Sequence, residues 1–360
     1  MVVCYTGGGT LGHVYPAIAV HQQLAGERSY SAFFIGRRDE HERAPVKASG
    51  MDYYPIHSGK LRRYRSLRNL IDPLFVIIGF FQALAILIWR RADVLFSKGG
   101  FVTPPVVFAA WLLRIPVISH ESDSTPGLAT RINSRFSRVL CVPHTDGFEH
   151  CNVSSLAVTG SPIRKELLQA KTPPDALSFL ADDDKLLLIL GGSGGSQEIN
   201  ALVAQTREQL VEHAWVYHQC GRGNLEEVHL GRYTMVQFID ELLPALLDRA
   251  DLVVARSGAN TIAELALFKA PALLIPLSSQ YSRGDQIENA AHLAQRGAAR
   301  VLLGQIGPDQ FLHEVRSLLE DEGQRTCLSE QIGQLAQQKS AALIAQIIVE
   351  HGRRNVCSGE

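Results

Sequence analysis

The chain has 360 residues, of which 46% are apolar and 20% charged, and its formal net charge is -1. That length fits two lobes of roughly 150 residues each, and the composition excludes a disordered or collagen-like protein. Charge is uneven along the chain: residues 1–180 carry 20 Lys/Arg against 13 Asp/Glu, and residues 181–360 carry 15 against 23, so a basic half precedes an acidic one; the net charge alone names no partner, and no nucleic-acid partner is expected.

In chain order, MVVCYT, SAFFIG, DVLFS, PVISH and VLCV read as short buried strands separated by helical stretches, the pattern of βα units on a parallel sheet. The opening strand runs straight into glycines, with no basic leader and no cleavage site, so no export is expected. Leu74 to Trp89 is apolar apart from Gln82, preceded by Lys60, Arg62, Arg63, Arg65 and Arg68 and followed by Arg90 and Arg91. It is shorter than the ~20 residues that span a bilayer. Two readings stay open: a core helix with a solvated basic collar, or a helix partly in the core and partly facing anionic lipid.

LAVTGSPIRKEL then reads as strand, turn and helix start, and KTPPDALSFLADDD as a linker. The pattern restarts with the strands KLLLILGGSGGS, AWVYHQCG, YTMVQFI, DLVVARSG and APALLIPL. The expected class is α/β, two doubly wound parallel-sheet lobes over 1–162 and 163–340, with 341–360 a helix packing back toward the first lobe. The six cysteines are scattered without C-x-x-C or a histidine at ligand spacing, which fits a reduced compartment and no metal site.

Residues 7–12, GGGTLG, satisfy G-x-G-x-x-G after a strand. A dinucleotide site would want an acid at the end of the second strand. That strand instead ends with Arg37 and Arg38 ahead of Asp39 and Glu40, which leaves an NADP oxidoreductase as the weaker alternative. The second loop, Gly191 to Ser196, also joins an apolar strand to a helix, where N–H groups and the helix dipole favour an anion. No G-K-[ST] follows, which disfavours a P-loop ATPase. Either loop alone could be a tight turn; two at matching places point to a ligand.

Ser257, Gly258, Ala259, Asn260 and Thr261 lie at a further strand-to-helix turn, with Glu264 one helical turn on. A carboxylate there accepts hydrogen bonds from a ribose diol, or completes a capping box. Asp285, Gln286 and Asn289 follow, the last two sharing one helical face in a set that suits sugar hydroxyls. Asp182 to Asp184 read as a solvated turn, and no aspartate motif is placed to hold a nucleotide-bound metal.

TGGGTLGHVYPAIAV, FSKGGFVTPPVVFAAWLLRIPVISHESDSTPGLA, GSPIRKEL, LILGGSGGS, FIDELLPAL and RSGANTIAELALFKAPALLIP occur in an order that resembles the MurG family over nearly the whole chain. The resemblance implies a GT-B fold, two Rossmann-like lobes with a cleft between them. It implies inverting, metal-independent transfer of N-acetylglucosamine from UDP-GlcNAc to the undecaprenyl-pyrophosphoryl-MurNAc-pentapeptide lipid I, giving lipid II at the cytoplasmic face of the cell membrane, with no cofactor. Anionic membrane and other cell-wall synthesis proteins are the further partners it implies.

Carried over residue by residue, the resemblance puts Ser193 and Arg164 near donor phosphate, Phe238 and Ile239 beside uracil and Glu264 at the ribose. Arg256, Ser257, Ala259 and Asn260 lie along phosphates and sugar, with Asp285, Gln286 and Asn289 facing sugar hydroxyls. Gly9, Thr10, Gly12 and His13 would hold the acceptor diphosphate, with His120, Glu121 and Asp123 nearby. His13 is the first candidate for general base, since a helix start keeps imidazole neutral; a plain hydrogen bond to diphosphate is its other reading, and Glu121 and Asp123 are the alternative bases. Two positions depart from the family pattern: Leu11 replaces a glycine of the first loop, and Asp123 replaces an amide. Another GT-B UDP-sugar transferase on a lipid-linked or glycolipid acceptor, a UDP-sugar epimerase, and a non-catalytic nucleotide-sugar-binding subunit remain the rivals.

Overall fold

A computed structural model describes residues 1–59, 68–168, 176–192, 194–221, 223, 227–278 and 284–353. The chain divides into two units, Met1–Leu168 with Gln337–Glu360, and Gln169–Ala336. The first unit runs β1 (Val2–Thr6), α1 (Leu11–Leu24), β2 (Ser31–Arg37), α2 (Glu40–Ala48), β3 (Asp52–Ile56), α3 (Arg68–Arg90), β4 (Val94–Ser97), α4 (Thr103–Leu112), β5 (Val117–His120), α5 (Leu128–Asn133), β6 (Val139–Val142), β7 (Ser155–Val158) and α6 (Lys165–Leu168). Its strands pair in parallel in the order β3-β2-β1-β4-β5-β6-β7.

Alternation along each strand feeds two cores. Tyr5, Phe34, Phe96 and Ile118 face one side with α1, while Cys4, Phe33, Ile35 and Leu95 face the other with α3 and α4. The last helix of the chain, α13, carries Ala341, Ile344, Ala345 and Ile348 into the first of these cores. Register then fixes the site: Thr6 pairs with Ile35 and Ser97, and Ser97 pairs with Ser119, so the loops after β1, β4 and β5 leave the sheet side by side. Parallel sheets bind ligands at this carboxyl edge, where strand order reverses.

The second unit runs β8 (Leu186–Leu190), α7 (Gln197–His213), β9 (Trp215–Gln219), β10 (Val228–Leu230), β11 (Tyr233–Val236), α8 (Leu243–Arg249), β12 (Leu252–Ala255), α9 (Ala259–Phe268), β13 (Ala272–Leu274), α10 (Asp285–Gln295), β14 (Arg300–Val301), α11 (Pro308–Glu320) and α12 (Glu322–Gly333), before α13 (Ser340–Arg353) returns to the first. Its sheet order is β10-β11-β9-β8-β12-β13-β14, parallel except for the β10/β11 hairpin. Leu190 pairs with both Gln219 and Ala255, which again gathers the loops after β8, β9 and β12.

The apolar stretch is α3, and it is only partly core. Ala83 and Leu87 are buried one helical turn apart, and Gly79 completes the stripe: a Cβ there would stand 2.1 Å from His57 O. Leu74, Ile77, Phe81, Ile88 and Trp89 face outward, Phe81 at 61% and Trp89 at 70% exposure. The span Asp72–Arg90 is long and apolar enough to cross a membrane, with 22% of its most apolar window buried. Of the two readings, the described residues show a helix that is partly core and partly outward-facing.

In the second core His218 sits between Asn200 Oδ1 (3.0 Å from Nε2) and the Tyr233 hydroxyl (3.0 Å from Nδ1). Since the amide oxygen only accepts, Nε2 carries the proton and Nδ1 accepts from tyrosine. Burial pushes its pKa down to about 4. An unfolded histidine titrates near ~6.5, so between these values the unfolded chain binds the extra proton, and stability is full above the upper value and lost as pH falls toward the lower. His218 should thus account for up to about 3 kcal/mol of acid destabilisation. Urea unfolding of wild type and His218→Gln at matched pH checks this: the variant's stability should be flatter over that window, and parallel curves would refute it.

Candidate functional site

At the carboxyl edge of the first sheet the chain turns from β1 through Gly7–Thr10 into α1. Gly9 (φ +104°) and Gly100 (φ +91°) adopt backbone that favours glycine, and a Cβ at Gly100 would stand 2.0 Å from Gly8 O. Leu11 needs no such freedom, since it is the first residue of α1 and not among the residues of positive φ. The departure from the family pattern therefore falls on a helical position that any residue can adopt.

The Gly9 N–H already has a partner: it donates to Glu42 Oε1 (2.7 Å), a carboxylate 2% exposed whose same oxygen lies 3.2 Å from Arg37 Nε. Burial raises the Glu42 pKa, opposed by Gly9 and Arg37. The Gly9 N–H is therefore already engaged within the protein. Thr10 precedes α1 and is exposed, Gly12 is half-buried, and His13, whose N–H donates to Thr10 O (3.1 Å), lies beside the Gly99–Gly100 turn.

His120 ends β5 buried, its Nε2–H donating to Gly160 O (2.8 Å). Burial, and then the charge of Lys98, push its pKa well below the usual histidine range. Glu121 holds the loop after β5: Oε1 accepts from the N–H groups of Ser122 (2.9 Å) and Asp123 (3.3 Å), and Oε2 from Gly127 N–H (3.1 Å) and the Thr130 hydroxyl (2.6 Å). Four donors fill the lone-pair positions of one carboxylate. Its candidacy as a base gives way to a loop-bracing role, and Asp123 stays as the alternative. Arg164 stacks over the Tyr15 ring, 5.1 Å from its centroid, and belongs to the first unit, whereas the reading by resemblance set it with the donor.

In the second unit the loop after β8 enters α7, whose N-cap Ser196 accepts from Ile199 N–H (3.2 Å). Ser193 lies outside the described residues, as do Lys60, Arg62, Arg63 and Arg65 of the basic flank. Gln219, which sequence reasoning passed over, ties two loops: its Nε2 donates to Gly192 O (3.0 Å) and its Oε1 accepts from Ile239 N–H (2.9 Å), which fixes the segment carrying Phe238 and Ile239. Its position at the end of β9 was the available signal. Arg256 is braced rather than open: its Nη1 donates to Glu198 Oε2 (3.0 Å), Ile275 O and Pro276 O (both 2.9 Å).

Ala259 opens α9 behind the N-cap Gly258, which makes no side-chain cap. Glu264 and Asn260 are half-buried along this helix start. Ser257 and Asn289 are buried and bind each other's surroundings: Ser257 Oγ donates to Gln286 O (2.7 Å) and Asn289 Nδ2 to Ser257 O (3.1 Å). Both hold the end of β12 to α10 from inside the unit. Gln286 Oε1 accepts from Leu277 N–H (3.0 Å), and its Nε2 makes no hydrogen bond among the described residues. Asp285, half-buried, begins the same helix. Asp184, assigned to a solvated turn, instead binds Trp215 Nε1 (3.0 Å) and pairs with Arg232. Among the described residues no group of three or more His, Cys, Asp and Glu is placed to hold a metal ion.

Comparison with known proteins follows the same division. Residues 3–140 match the glycosyltransferase family 28 N-terminal domain and residues 186–347 its C-terminal domain. The chain is 44% identical over 303 residues to a UDP-N-acetylglucosamine--N-acetylmuramyl-(pentapeptide) pyrophosphoryl-undecaprenol N-acetylglucosamine transferase of Clostridium botulinum, covering 83% of this chain and 85% of that one. It is 41% identical over 340 residues to the protein of the same name from Treponema pallidum, covering 90% and 88%. Acinetobacter baumannii MurG superimposes with a TM-score of 0.75 at 25% identity, over 97% of this chain and 99% of that one. The chain belongs to glycosyltransferase family 28 and, within it, to the MurG family.

Proposed function

We propose that this chain transfers N-acetylglucosamine from UDP-GlcNAc to the MurNAc 4-hydroxyl of lipid I, giving lipid II for peptidoglycan. The observation that carries the reading is 44% identity over 303 residues to a transferase of that name, with both halves of the family matched. Incubation of the purified chain with UDP-GlcNAc and a lipid I analogue should yield lipid II analogue and UDP. Free sugar and UDP without acceptor would instead mark an epimerase.

Inversion takes one in-line displacement: the acceptor hydroxyl attacks the anomeric carbon, a base takes its proton, and UDP departs with negative charge on its phosphates. In this reading the N–H groups at the start of α7 meet the charge that grows on the leaving side. No metal is given a part. For the donor, Gln286 Nε2, which makes no hydrogen bond among the described residues, and the half-buried carboxylate of Glu264 are the groups we assign to sugar and ribose hydroxyls. Glu264→Ala and Gln286→Ala should each lower kcat/KM by roughly ten- to hundredfold, the cost of ~1–3 kcal/mol for a lost buried partner. Wild-type donor parameters in both variants would move the donor site elsewhere.

His13 is the base in this reading, with Asp123 behind it. His13→Ala should lower kcat by ~10²–10⁴ with donor Kd nearly unchanged, and His13→Gln should not restore it. Acceptor affinity lost at full kcat would make His13 a diphosphate ligand and pass the base role to Asp123.

A polyprenyl-linked acceptor stays in the bilayer, so the enzyme must come to it, peripherally and from the cytoplasmic side. The outward face of α3 continues onto α4 through the ring contacts Phe80–Phe108, Phe108–Trp111 and Trp111–Phe136, an apolar surface of the kind that marks an interaction site. Replacing Phe81 and Trp111 by Asp should sharply reduce sedimentation with anionic vesicles while sparing transfer to a water-soluble acceptor analogue. Unchanged sedimentation would remove this docking surface.

A further inference from the structure

Lys98 follows β4 directly, and its N–H donates to Thr6 O (2.8 Å), which seats the residue against the first glycine loop. A Cβ at Gly7 would stand 3.4 Å from Lys98 Cβ. The next two residues, Gly99 and Gly100, pack on His120 O and on Gly8 O and His13 respectively, so Lys98 lies where the loops after β1, β4 and β5 converge. It is 1% exposed. Among the described residues no hydrogen bond or ion pair reaches its ammonium.

A buried ammonium is costly unless something compensates it. Burial lowers the Lys98 pKa, and the charges of Glu121 and Asp123 oppose that, yet Glu121 has both oxygens filled by Ser122, Asp123, Gly127 and Thr130. Its field reaches Lys98 without a bond. His120 donates to Gly160 O and offers no anion either. The other side of the loop is the reverse: Glu42 fills the Gly9 N–H with a carboxylate, and a Cβ at Gly8 would stand 2.9 Å from its Oε2. An anion arriving at this loop finds the Gly9 N–H already taken on the Glu42 side, where Glu42 is paired with Arg37, and the one lysine of the converging loops on the other.

We propose that Lys98 is the cation of the acceptor-diphosphate site, its ammonium donating to a phosphoryl oxygen of the lipid-linked substrate beside the first glycine loop. The inference rests on the reading of the acceptor as a lipid-linked diphosphate. It adds a binding residue from the turn after β4, which neither glycine motif contains.

The test uses the full chain, a lipid I analogue, and inorganic pyrophosphate as competitor. Lys98→Met, of similar length but uncharged, should raise the acceptor KM by ~10–100-fold, the usual effect of losing a charged hydrogen bond, and weaken pyrophosphate competition against acceptor by a similar factor. The donor KM should stay as in wild type. Lys98→Gln should behave alike, and serves if the methionine variant does not fold; Lys98→Arg should hold acceptor KM within a few-fold of wild type. Acceptor KM and pyrophosphate competition unchanged in the neutral variants would overturn the proposal. Equal loss in the arginine variant, with donor KM rising alongside, would assign Lys98 to packing and overturn it too. A wild-type chain that makes no lipid II removes the functional reading itself, whereas normal wild-type turnover beside an unaffected Lys98→Met removes Lys98 alone.

Discussion

Where a parallel strand ends, the backbone leaves its ladder, and the loop that follows must find partners for N–H and C=O groups that the sheet no longer supplies. Both units meet this demand with buried polar side chains anchored on neighbouring elements. In the first, Glu121 gathers the loop after β5 and Glu42 pins the loop after β1. In the second, Gln219 joins the loop after β8 to the segment at Ile239, Arg256 clamps Ile275 and Pro276 to Glu198, and Asn289 holds Ser257. Such bonds fix loop shape before any ligand arrives, and preorganised donors are what stabilise charge as it develops.

That arrangement separates what the sequence makes legible from what it hides. The buried strands beside glycine loops are visible because apolar runs and glycines are local signals, and they lead directly to two doubly wound sheets. β3, with Asp52 and Pro55 among its five residues, and β10, a three-residue edge strand, carry no such signal and emerge only from pairing. Ser257 and Asn289 have the residue types of a sugar site but turn inward, because a strand end and a helix 29 to 32 residues later need joining. Gln219 reads as one more polar residue after a strand; its work depends on Gly192 and Ile239, 27 and 20 residues away. Side chains that bind backbone across such distances leave no periodicity.

α3 illustrates a different limit. A helix apolar on every side reads as core, and only the neighbours reveal how many sides are covered. Here β3 and α4 cover one stripe, where Gly79 lets the helix press on His57 O and Gln82 Oε1 accepts from His57 N–H (2.8 Å). The remaining face exposes aromatic and branched side chains that a globular unit has little reason to keep unless a further apolar phase receives them.

The two glycine loops, alike in sequence, present opposite electrostatic problems. In the second unit the loop feeds α7, a helix of 17 residues whose dipole and first-turn N–H groups would favour an anion, and its acidic neighbour Glu198 is already paired with Arg256. In the first unit α1 also begins at the loop, but the Gly9 N–H is held by Glu42 and the nearby acid Glu121 is turned into its own loop. If a diphosphate binds there, its positive partner is the buried Lys98 rather than the general basic surplus of residues 1–180. The two loops thus differ in what surrounds them: a long helix start in one unit, and in the other a glycine N–H taken by Glu42 beside a buried lysine.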